Sequence, residues 1–496
     1  MLFRPQTLNK KTIFGSFKKK LEMIPKRTKI VATMGPACNS KEMLTKMIKN
    51  GVDVCRLNFS HGDHEFHKAN LDAVRSVAKE LGTNVAVLAD LQGPKLRIGM
   101  MENDGVEIKA GQRFTITTKE CVGNAERVFM TYQAFPRDVN PGEKILIDDG
   151  KLQIEVISTN RVDEVLVEMQ HTGVLKSKKG VNLPNTKVSL PSLSEKDLRD
   201  LDFALDQKAE WIALSFVRTA KCIHDLRAIM VKKGSTARII AKIEKPEAIE
   251  CIDEIIEATD AIMVARGDLG IEVPYQDVPL LQKMMIKKCQ QHSKPIIVAT
   301  QMMESMIDGI TPSRAEVNDV ANAVMDGADA VMLSGETSVG KHPDLVIETM
   351  ANIVRKMEEF EGIYNHRFDA IHRPERTVTD NICISGVRLS DRVGAKAIIT
   401  MTHSGYTAFK IASHRPKAYT YVFTANRELL AMVSLIWGIK GFYYDKYEST
   451  DKTISDLEEF LVTKGHLEKD DFYINIASMP IHEKGKTNTI KLSQVC

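Results

Sequence analysis

RIIAKIEKPE, residues 238–247, begins as an apolar run typical of a buried strand and ends in charged residues. Lys242 and Glu244 stand two positions apart, so on a strand their side chains point to the same face. Burying an ammonium and a carboxylate costs free energy unless the two groups meet each other, a metal or a charged ligand. The stretch therefore predicts a core strand whose carboxyl end contributes to a site.

The same pattern recurs seven more times between residues 28 and 336. Short runs rich in Val, Ile and Ala are mostly separated by helix-like segments, an alternation typical of parallel strands covered by helices. These runs are TKIVATMG (28–35), VDVCRLNFS (52–60), NVAVLADLQ (84–92), EWIALSFVR (210–218), AIMVARGD (261–268), KPIIVATQ (294–301) and DAVMLSGE (329–336). Eight such units predict an α/β fold built on a closed (β/α)8 TIM barrel.

Nearly every run becomes polar at its carboxyl end, and in a parallel barrel those ends converge on one mouth, where barrel enzymes have their active sites. Glu244 and Asp268 are a carboxylate pair of the kind that holds Mg2+, with Mn2+ as the alternative. Lys242 and Arg56 would then face an anion held on that metal, as a transferring phosphoryl group requires. The other polar residues at strand ends include Asn58, Ser60, Asp90, Ser215, Thr300 and Ser334.

Two further units accompany the barrel. Residues 96–190 separate the third run from the fourth, and segments such as QRFTITTKE (112–120) predict a small β-barrel lid over the mouth. A new strand and helix alternation after about residue 350 predicts an α/β sheet domain. The predicted domains are a basic arm over 1–27, a catalytic barrel over 28–95 and 191–350, the lid over 96–190, and a C-terminal domain over 351–496.

Composition excludes several classes of protein. The chain has 496 residues and a net charge of +3, which gives no case for a nucleic-acid or membrane partner. Its 8 cysteines form no CxxC pair, which favours reduced thiols in the cytoplasm. The basic arm has the composition of an organellar targeting segment, and a loosely docked or disordered arm is the alternative.

Longer motifs make the sequence similar to one family. The motifs that carry the similarity are RLNFSHG (56–62), KKGVNLP (178–184), KIEKPEAIE (242–250), MVARGDLG (263–270), ATQMMESM (299–306), PSRAEVNDVANAV (312–324) and MLSGET (332–337). The chain resembles pyruvate kinase from about residue 28 to its end. The resemblance implies a phosphotransferase of glycolysis that moves the phosphoryl group of phosphoenolpyruvate to ADP, giving pyruvate and ATP, and that assembles as a homotetramer.

The resemblance also implies roles for single residues. Glu244 and Asp268 resemble the Mg2+ ligands, Lys242 the group that stabilises the phosphoryl in transfer, and Arg56 a phosphate clamp. Thr300 and the backbone at Gly267 and Asp268 resemble substrate contacts, and Thr300 with Ser334 resembles the relay that protonates the enolate. The nucleotide contacts implied in the same way are Arg97, Lys179, His61 and Asn58.

One departure from the family pattern concerns K+. Asn58, Ser60 and Asp90 match the monovalent-cation ligands, but Lys95 in ADLQGPKL (89–96) replaces the acidic residue beside that cation. An ammonium there would supply the charge of K+ and repel the ion itself. We therefore expect an enzyme that needs little or no K+; the alternative is that Lys95 turns to solvent and K+ still binds.

A second departure lies in the C-terminal domain. THSGYTA (402–408) resembles the loop that binds a phosphate of a sugar-phosphate activator, and its candidate contacts are Thr402, His403, Ser404, Gly405 and Thr407. The later stretch ASMPIHEKGKTNT (477–489) lacks the Trp and Arg that contact the second phosphate in bisphosphate-activated relatives. A monophosphate, a nucleotide or no effector at all is therefore equally open.

Two other functions compete with this interpretation. A magnesium-dependent aldolase or lyase acting on phosphoenolpyruvate or pyruvate would share Glu244 and Asp268, but it would have no use for a lid with nucleotide contacts. An inactive barrel serving as a metabolite sensor would not need the intact set of charged residues at the mouth. ADP dependence separates these possibilities.

Overall fold

The first three units of the barrel come first along the chain. The computed structural model describes residues 25–366, 368, 373–446, 449–479 and 487–496. Ser40 and Asp63 begin the first two helices by accepting backbone hydrogen bonds from Met43 and Phe66. The elements are β1 (Lys29–Thr33), α1 (Lys41–Asn50), β2 (Val54–Asn58), α2 (His64–Leu81) and β3 (Ala86–Asp90).

The insertion that follows is an all-β domain with its own core. Its elements are β4 (Gly105–Ile108), β5 (Arg113–Thr117), β6 (Arg127–Phe129), α3 (Phe135–Asp138), β7 (Lys144–Ile147), β8 (Leu152–Thr159), β9 (Glu164–Met169), β10 (Gly173–Lys176) and β11 (Val181–Asn182). Six strands form one sheet in the order β11-β7-β8-β9-β5-β6, and β10 pairs with β4. Alternating burial along β8 shows that one face of the sheet covers the core of this domain, as the sequence pattern predicts.

The chain then returns to complete the barrel. The elements are α4 (Glu195–Asp206), β12 (Trp211–Leu214), α5 (Ala220–Lys232), β13 (Arg238–Ile243), α6 (Pro246–Glu250), α7 (Ile252–Ala258), β14 (Ala261–Ala265), α8 (Arg266–Glu272), α9 (Val278–His292), β15 (Ile296–Ala299), α10 (Arg314–Asp326), β16 (Ala330–Leu333), α11 (Gly335–Ser338) and α12 (Pro343–Met357). Eight parallel strands close in the order β1-β16-β15-β14-β13-β12-β3-β2. This confirms the predicted (β/α)8 barrel, and each of the eight apolar runs supplies one strand.

The C-terminal part is an α/β sheet domain, which is also confirmed. Its elements are α13 (Thr377–Arg392), β17 (Ala397–Met401), α14 (Tyr406–Ser413), β18 (Tyr419–Thr424), α15 (Arg427–Met432), β19 (Ile439–Tyr443), α16 (Thr450–Thr463), β20 (Phe472–Ala477) and β21 (Thr489–Gln494). The strand order is β19-β18-β17-β20-β21, and only the edge strand β21 is antiparallel to its neighbour.

The C-terminal domain packs against the amino-terminal end of the barrel. Interior barrel residues such as Val54 and Trp211 share one apolar cluster with Phe409 and Leu435 of the C-terminal domain. The indole nitrogen of Trp211 donates a hydrogen bond to the carbonyl of Met432, 3.2 Å away. The opposite end of the barrel is left for the lid and the polar strand ends.

The end of the predicted arm belongs to the folded part of the chain. Arg27 donates its backbone N–H to the carboxylate of Glu358, and its guanidinium lies over the ring of Tyr419, 4.2 Å from the centroid. Residues 1–24, which carry most of the arm's basic side chains, lie outside the described residues. Among the described residues, no helix has the length and apolar character needed to cross a membrane.

Candidate active site

The second and third strands of the barrel bring Arg56 to Asp90. Arg56 lies near the end of β2, and Asp90 is the last residue of β3. Two nitrogens of the guanidinium, Nε and Nη2, each lie 2.7 Å from Asp90 Oδ2, and Nη1 donates to Thr33 Oγ1 at 3.0 Å. Arg56 is thereby fixed by two neighbouring strands with its charge at the barrel mouth.

Lys242 occupies the centre of the polar cluster. Its ammonium donates to Ser215 Oγ at 2.7 Å and lies 2.9 Å from Glu244 Oε1 and 3.3 Å from Asp90 Oδ1. Glu244 Oε2 accepts a hydrogen bond from the backbone N–H of Phe216 at 2.6 Å. The two residues that make the strand end unusual in sequence are therefore buried together as an ion pair.

Burial and charge act on these groups in opposite directions. Burial alone would lower the pKa of Lys242, but the carboxylates of Asp90 and Glu244 outweigh it and raise that pKa above its ordinary value. Burial raises the pKa of Glu244, and the nearby charge of Asp268 adds to the effect. Burial would also raise the pKa of Asp90, yet Lys242 and Arg56 hold it below its ordinary value. Lys242 thus remains an ammonium in a site of low solvent access.

The carboxylate pair fits a divalent cation. Glu244 is 1% exposed, and its buried Oε1 accepts no hydrogen bond of good geometry in the structure. Asp268 lies in the first turn of α8, immediately after the neighbouring strand β14. No group of three or more His, Cys, Asp and Glu side chains suited to a metal occurs within the described part of the chain. Two carboxylates on neighbouring strand ends, one of which has Lys242 as an ion-pair partner, suit Mg2+, which keeps water and substrate oxygens in the rest of its shell.

Thr300 and Gly267 meet across two adjacent strand ends. The backbone N–H of Gly267 donates to Thr300 Oγ1 at 2.7 Å. Thr300 follows β15 with a φ of +67°, a left-handed conformation that is uncommon for a β-branched residue. Arg266 holds this turn, since it donates to the Thr300 carbonyl at 2.7 Å while pairing with Asp319 at 2.7 Å.

Ser334 lies at the end of the next strand, β16. Its backbone N–H donates to Glu336 Oε2 at 2.7 Å, and Glu336 Oε1 accepts from the N–H of Met303 at 3.2 Å. Glu336 thus joins the turn after β15 to the turn after β16. Among the described residues, the side chains of Ser334 and Thr300 do not hydrogen-bond to each other directly.

Three of the four residues implied as nucleotide contacts line one cleft between lid and barrel, whereas Asn58 is not part of its lining. The cleft has a volume of about 480 Å³, and its lining includes His61, Lys95, Arg97, Lys179 and Asp268. Arg97 and Lys179 are brought together because the two ends of the lid pair with each other: Arg97 is bridged to Gly180, and the N–H of Ile98 donates to the Lys179 carbonyl at 3.0 Å.

Cations in this cleft influence one another. Partial burial and the nearby Lys95, Arg56 and Arg97 lower the pKa of His61, so that His61 is neutral near pH 7. Lys179 Nζ lies 2.8 Å from Asp148 Oδ1, and this contact raises the pKa of Lys179 and lowers that of Asp148. The cleft is therefore suited to a polyanion such as a nucleoside diphosphate.

Three residues predicted to form the cation site lie at neighbouring strand ends, where Asn58 at the end of β2 pairs with Asp90 at the end of β3 and Ser60 follows in the next turn. Asn58 Oδ1 accepts a hydrogen bond from the N–H of Ser60 at 3.1 Å, within one turn after β2. Asp90 is 1% exposed and is engaged by Arg56 and Lys242 on its two oxygens. Lys95 lines the same cleft as Asp268.

The structure also shows contacts that sequence reasoning missed. Ser215, recognised only as a polar strand end, holds Lys242 and donates its own hydroxyl to the Leu91 carbonyl at 2.7 Å. Glu272 accepts from Lys245 at 2.5 Å and from Asn182 of the lid at 2.8 Å. Ser215 could have been found from its place at a strand end, whereas nothing in the sequence relates Asn182 to Glu272.

The predicted effector loop begins α14. Thr402 Oγ1 accepts from the N–H of Gly405 at 3.0 Å, and Gly405 has a φ of +85°. Thr407 Oγ1 lies 2.8 Å from Thr487 Oγ1, and the Ser404 carbonyl accepts from Arg238 of the barrel at 2.9 Å. Residues 480–486 of the stretch 477–489 lie outside the described residues.

Two cations that follow that loop in the sequence are paired with carboxylates of the protein. Arg415 is 1% exposed and pairs with Asp329 of the barrel at 3.0 Å, and Lys417 pairs with Glu361 at 2.6 Å. Both are occupied by protein carboxylates.

Comparison with known proteins gives the same result in sequence and in structure. The family model described as pyruvate kinase, barrel domain, matches residues 25–347, and the model for the alpha/beta domain of pyruvate kinase matches residues 380–493. A pyruvate kinase of Corynebacterium efficiens is 43% identical over 465 residues, which cover 94% of this chain and 97% of that protein.

More distant relatives agree. A pyruvate kinase of Geobacillus stearothermophilus is 40% identical over 472 residues, covering 94% of this chain and 80% of that protein. The crystal structure of a pyruvate kinase from Cryptosporidium parvum superposes with a TM-score of 0.90 at 36% identity, covering 96% of this chain and 97% of that one.

Proposed function

Because the chain belongs to the pyruvate kinase family, we propose that its barrel mouth transfers the phosphoryl group of phosphoenolpyruvate to ADP. The observation that carries the proposal is the buried cluster in which Lys242 lies between Glu244 and Asp90, beside Arg56. Such a cluster combines two fixed cations with the buried carboxylate of Glu244. It has the composition that phosphoryl transfer with a divalent metal requires.

Glu244 and Asp268 would hold Mg2+, which when bound supplies positive charge to the oxygens of phosphate and enolate. Arg56 binds the phosphate of phosphoenolpyruvate, and the backbone at Gly267 and Asp268 with Thr300 orients the carboxylate end. Arg97 and Lys179 hold the phosphates of ADP in the cleft above, which His61 also lines. Asn58, two residues after Arg56, is proposed on the nucleotide side from the family resemblance. The lid limits water in the site while both substrates are bound.

The transfer breaks the bond between phosphorus and the enol oxygen and forms a bond to a terminal oxygen of ADP. Lys242, already an ammonium, stabilises the charge on the phosphoryl oxygens during transfer. The enolate left behind takes a proton at its methylene carbon. Thr300 and Ser334 would deliver that proton through water, since they lie at the neighbouring ends of β15 and β16.

We further propose that Lys95 replaces the function of K+. Asp90, one of the three matching ligands, is neutralised by Arg56 and Lys242, so little negative charge is left for a free cation. The test measures pyruvate formation from phosphoenolpyruvate, ADP and Mg2+ in buffer free of K+, with and without added KCl. Full turnover without K+ supports both proposals, whereas turnover only with KCl overturns the role of Lys95 and leaves the reaction intact.

A Lys95→Glu variant gives the matched comparison. It restores an acidic residue beside the cation ligands, so we expect its activity in K+-free buffer to fall at least tenfold and to return on addition of KCl. A Lys178→Glu variant changes the same charge in the same cleft and should gain no K+ dependence. Equal behaviour of the two variants would contradict the proposed role of Lys95.

Regulation and assembly remain proposals from the family resemblance. The loop 402–407 would bind the phosphate of a monophosphate or nucleotide effector, supported by its start at the first turn of α14. A homotetramer is proposed for the assembly. The eight cysteines are unpaired, which supports a reducing compartment such as the cytoplasm.

A further inference from the structure

One buried carboxylate joins the lid to the barrel. The side chain of Glu272 is 1% exposed, and its Oε1 accepts hydrogen bonds from Lys245 Nζ at 2.5 Å and from Asn182 Nδ2 at 2.8 Å. The second oxygen, Oε2, is buried and has no hydrogen-bond partner. The amide of Asn182 is therefore bound to a charged acceptor in a place with little water, where such a bond is strong.

The partners of Glu272 come from three separate parts of the fold. Asn182 ends the short strand β11 of the lid, three residues after Lys179. Lys245 lies between β13 and α6, and Glu272 is the last residue of α8. The lid also comes close to the same helix at Gly150, where an added Cβ would lie 3.7 Å from Ile271 Cγ2. The lid thus rests on the end of α8.

The same contacts adjoin both proposed metal ligands. Lys245 directly follows Glu244, and Glu272 lies one helical turn after Asp268 on α8. Lys245 and Asn182 also line the nucleotide cleft with Arg97 and Lys179. A movement of the lid that breaks the contact between Asn182 and Glu272 would remove a constraint from the helix that carries Asp268.

We propose that Glu272 is a positioning residue which, with Lys245 and Asn182, forms a latch between the lid and the metal site. The latch holds Arg97 and Lys179 over the barrel mouth when the nucleotide is bound, and it fixes the end of the helix that carries Asp268. Glu272 touches neither substrate; it acts through Asn182 and Lys245. The proposal rests on the proposed reaction, because it assigns the latch a role in binding ADP.

The test compares Asn182→Ala, Glu272→Gln and the double variant in the full-length protein. Loss of one hydrogen bond to a charged group should raise the KM for ADP about tenfold. The KM for phosphoenolpyruvate should change less than twofold, since that substrate is proposed to bind to Arg56 and Thr300 of the barrel and not to the lid. The KM for ADP of the double variant should be no higher than that of the more strongly affected single variant, because both substitutions break the same contact.

A readout that does not depend on turnover separates this proposal from the proposed reaction. A pair of fluorophores, one on the lid and one on the barrel, reports the lid position in the presence of Mg2+ and ADP. In Asn182→Ala, a larger fraction of molecules than in the wild type should have the lid in an open position. Should the wild-type protein form no pyruvate, the reaction proposal fails while the fluorescence experiment still decides on the latch.

Asn185→Ala is the matched control, since Asn185 is an exposed lid asparagine close to Asn182 in sequence. It should keep the wild-type KM for ADP and the wild-type distribution of lid positions. The proposal is overturned by an unchanged KM for ADP in Asn182→Ala, by additive effects in the double variant, or by an equal effect of Asn185→Ala. Because Asn182 lies on the lid and is only half-buried, its variant tests the proposal even if Glu272→Gln does not fold.

Discussion

At the residue scale, the site depends on a single ammonium that serves three oxygens. Lys242 contacts Ser215, Glu244 and Asp90, which come from three different strand ends. Its charge neutralises buried carboxylates and lies at the mouth of the barrel, where a phosphoryl group would be transferred. Removal of this charge should therefore affect chemistry more than substrate binding.

For Lys242→Met we expect kcat to fall by about a thousandfold, because a preorganised charge near the developing transition state is lost. The KM for ADP should stay within about threefold of wild type, since the nucleotide contacts lie in the cleft above. Steady-state kinetics measure both values, and near-UV circular dichroism checks the fold. A correctly folded variant with kcat within tenfold of wild type would contradict the role given to Lys242.

Asp148 offers a second residue-scale prediction. It pairs with Lys179 at 2.8 Å in the cleft, where it competes with a nucleotide phosphate for the same ammonium. Asp148→Asn keeps a residue that tolerates the φ of +55° at this position, and it removes the competing charge. The KM for ADP should fall about two- to fivefold, a small change because the pair is exposed.

The control for that experiment is Asp163→Asn, which breaks a similar exposed ion pair with Lys119 elsewhere on the lid. Its KM for ADP should equal that of wild type. A rise of the KM in Asp148→Asn would show that Asp148 assists nucleotide binding rather than competing with it.

At the element scale, the two ends of α14 adjoin different features of the C-terminal domain. Its first turn follows the loop proposed for an effector, and its last turn ends at His414, which is 5% exposed. The pKa of His414 is lowered to about 4, mainly by burial and also by the charges of Lys410 and Arg388, while a hydrogen bond with the backbone of His366 and the charge of Asp380 partly oppose the shift. The ring also stacks on Phe368, with 4.7 Å between centroids.

The pKa of His414 makes stability depend on pH. In the unfolded chain this histidine takes up a proton near pH 6.5, whereas in the folded chain it stays neutral down to about pH 4. Stability should therefore fall by about 3 kcal/mol as pH drops from 6.5 to 4, and not further below that range from this group. Urea denaturation at several pH values measures the slope.

A His414→Gln variant should lose the part of the pH dependence that comes from His414, because it has no titratable group at this position, whereas His366, whose pKa burial also lowers to about 4, should keep its own contribution. His224→Gln, at an exposed histidine of α5, should keep the wild-type slope. If the free energy of unfolding of His414→Gln depended on pH as in the wild type, groups other than His414, such as His366, would determine the loss of stability at acidic pH.

At the scale of the whole molecule, one buried ion pair joins the barrel to the C-terminal domain. Asp329 precedes β16 and accepts hydrogen bonds from Arg415, from the N–H of Ile296 and from the N–H of Trp437. Arg415 also donates to the Gly327 carbonyl at 2.6 Å, and its guanidinium lies 5.0 Å from the Trp437 ring.

Breaking the pair should destabilise the protein strongly. Arg415→Met leaves Asp329 buried without its cation, which typically costs about 3–5 kcal/mol. Lys417→Met breaks the exposed pair with Glu361 two residues later and should cost at most about 1 kcal/mol. Thermal and urea unfolding of the two variants measure the difference, and equal losses would contradict the central role of the buried pair.

Sequence alone determined the features that depend on local pattern. The spacing of apolar residues and the turn residues that bound each run are local features of the sequence. All eight barrel strands, the inserted β domain and the C-terminal sheet could therefore be predicted. Because the strand ends of a barrel converge, the sequence also predicts that Arg56, Lys242, Glu244, Asp268 and Thr300 lie at one mouth.

Only the tertiary structure decided which side chains actually touch. Asn182 meets Glu272 because the lid folds back on α8, and Arg415 meets Asp329 because the C-terminal domain packs on the barrel. Such contacts depend on the packing of distant segments, and no local pattern encodes them. Sequence could therefore give the fold and the chemical content of the site, whereas the joints between domains follow from three-dimensional packing.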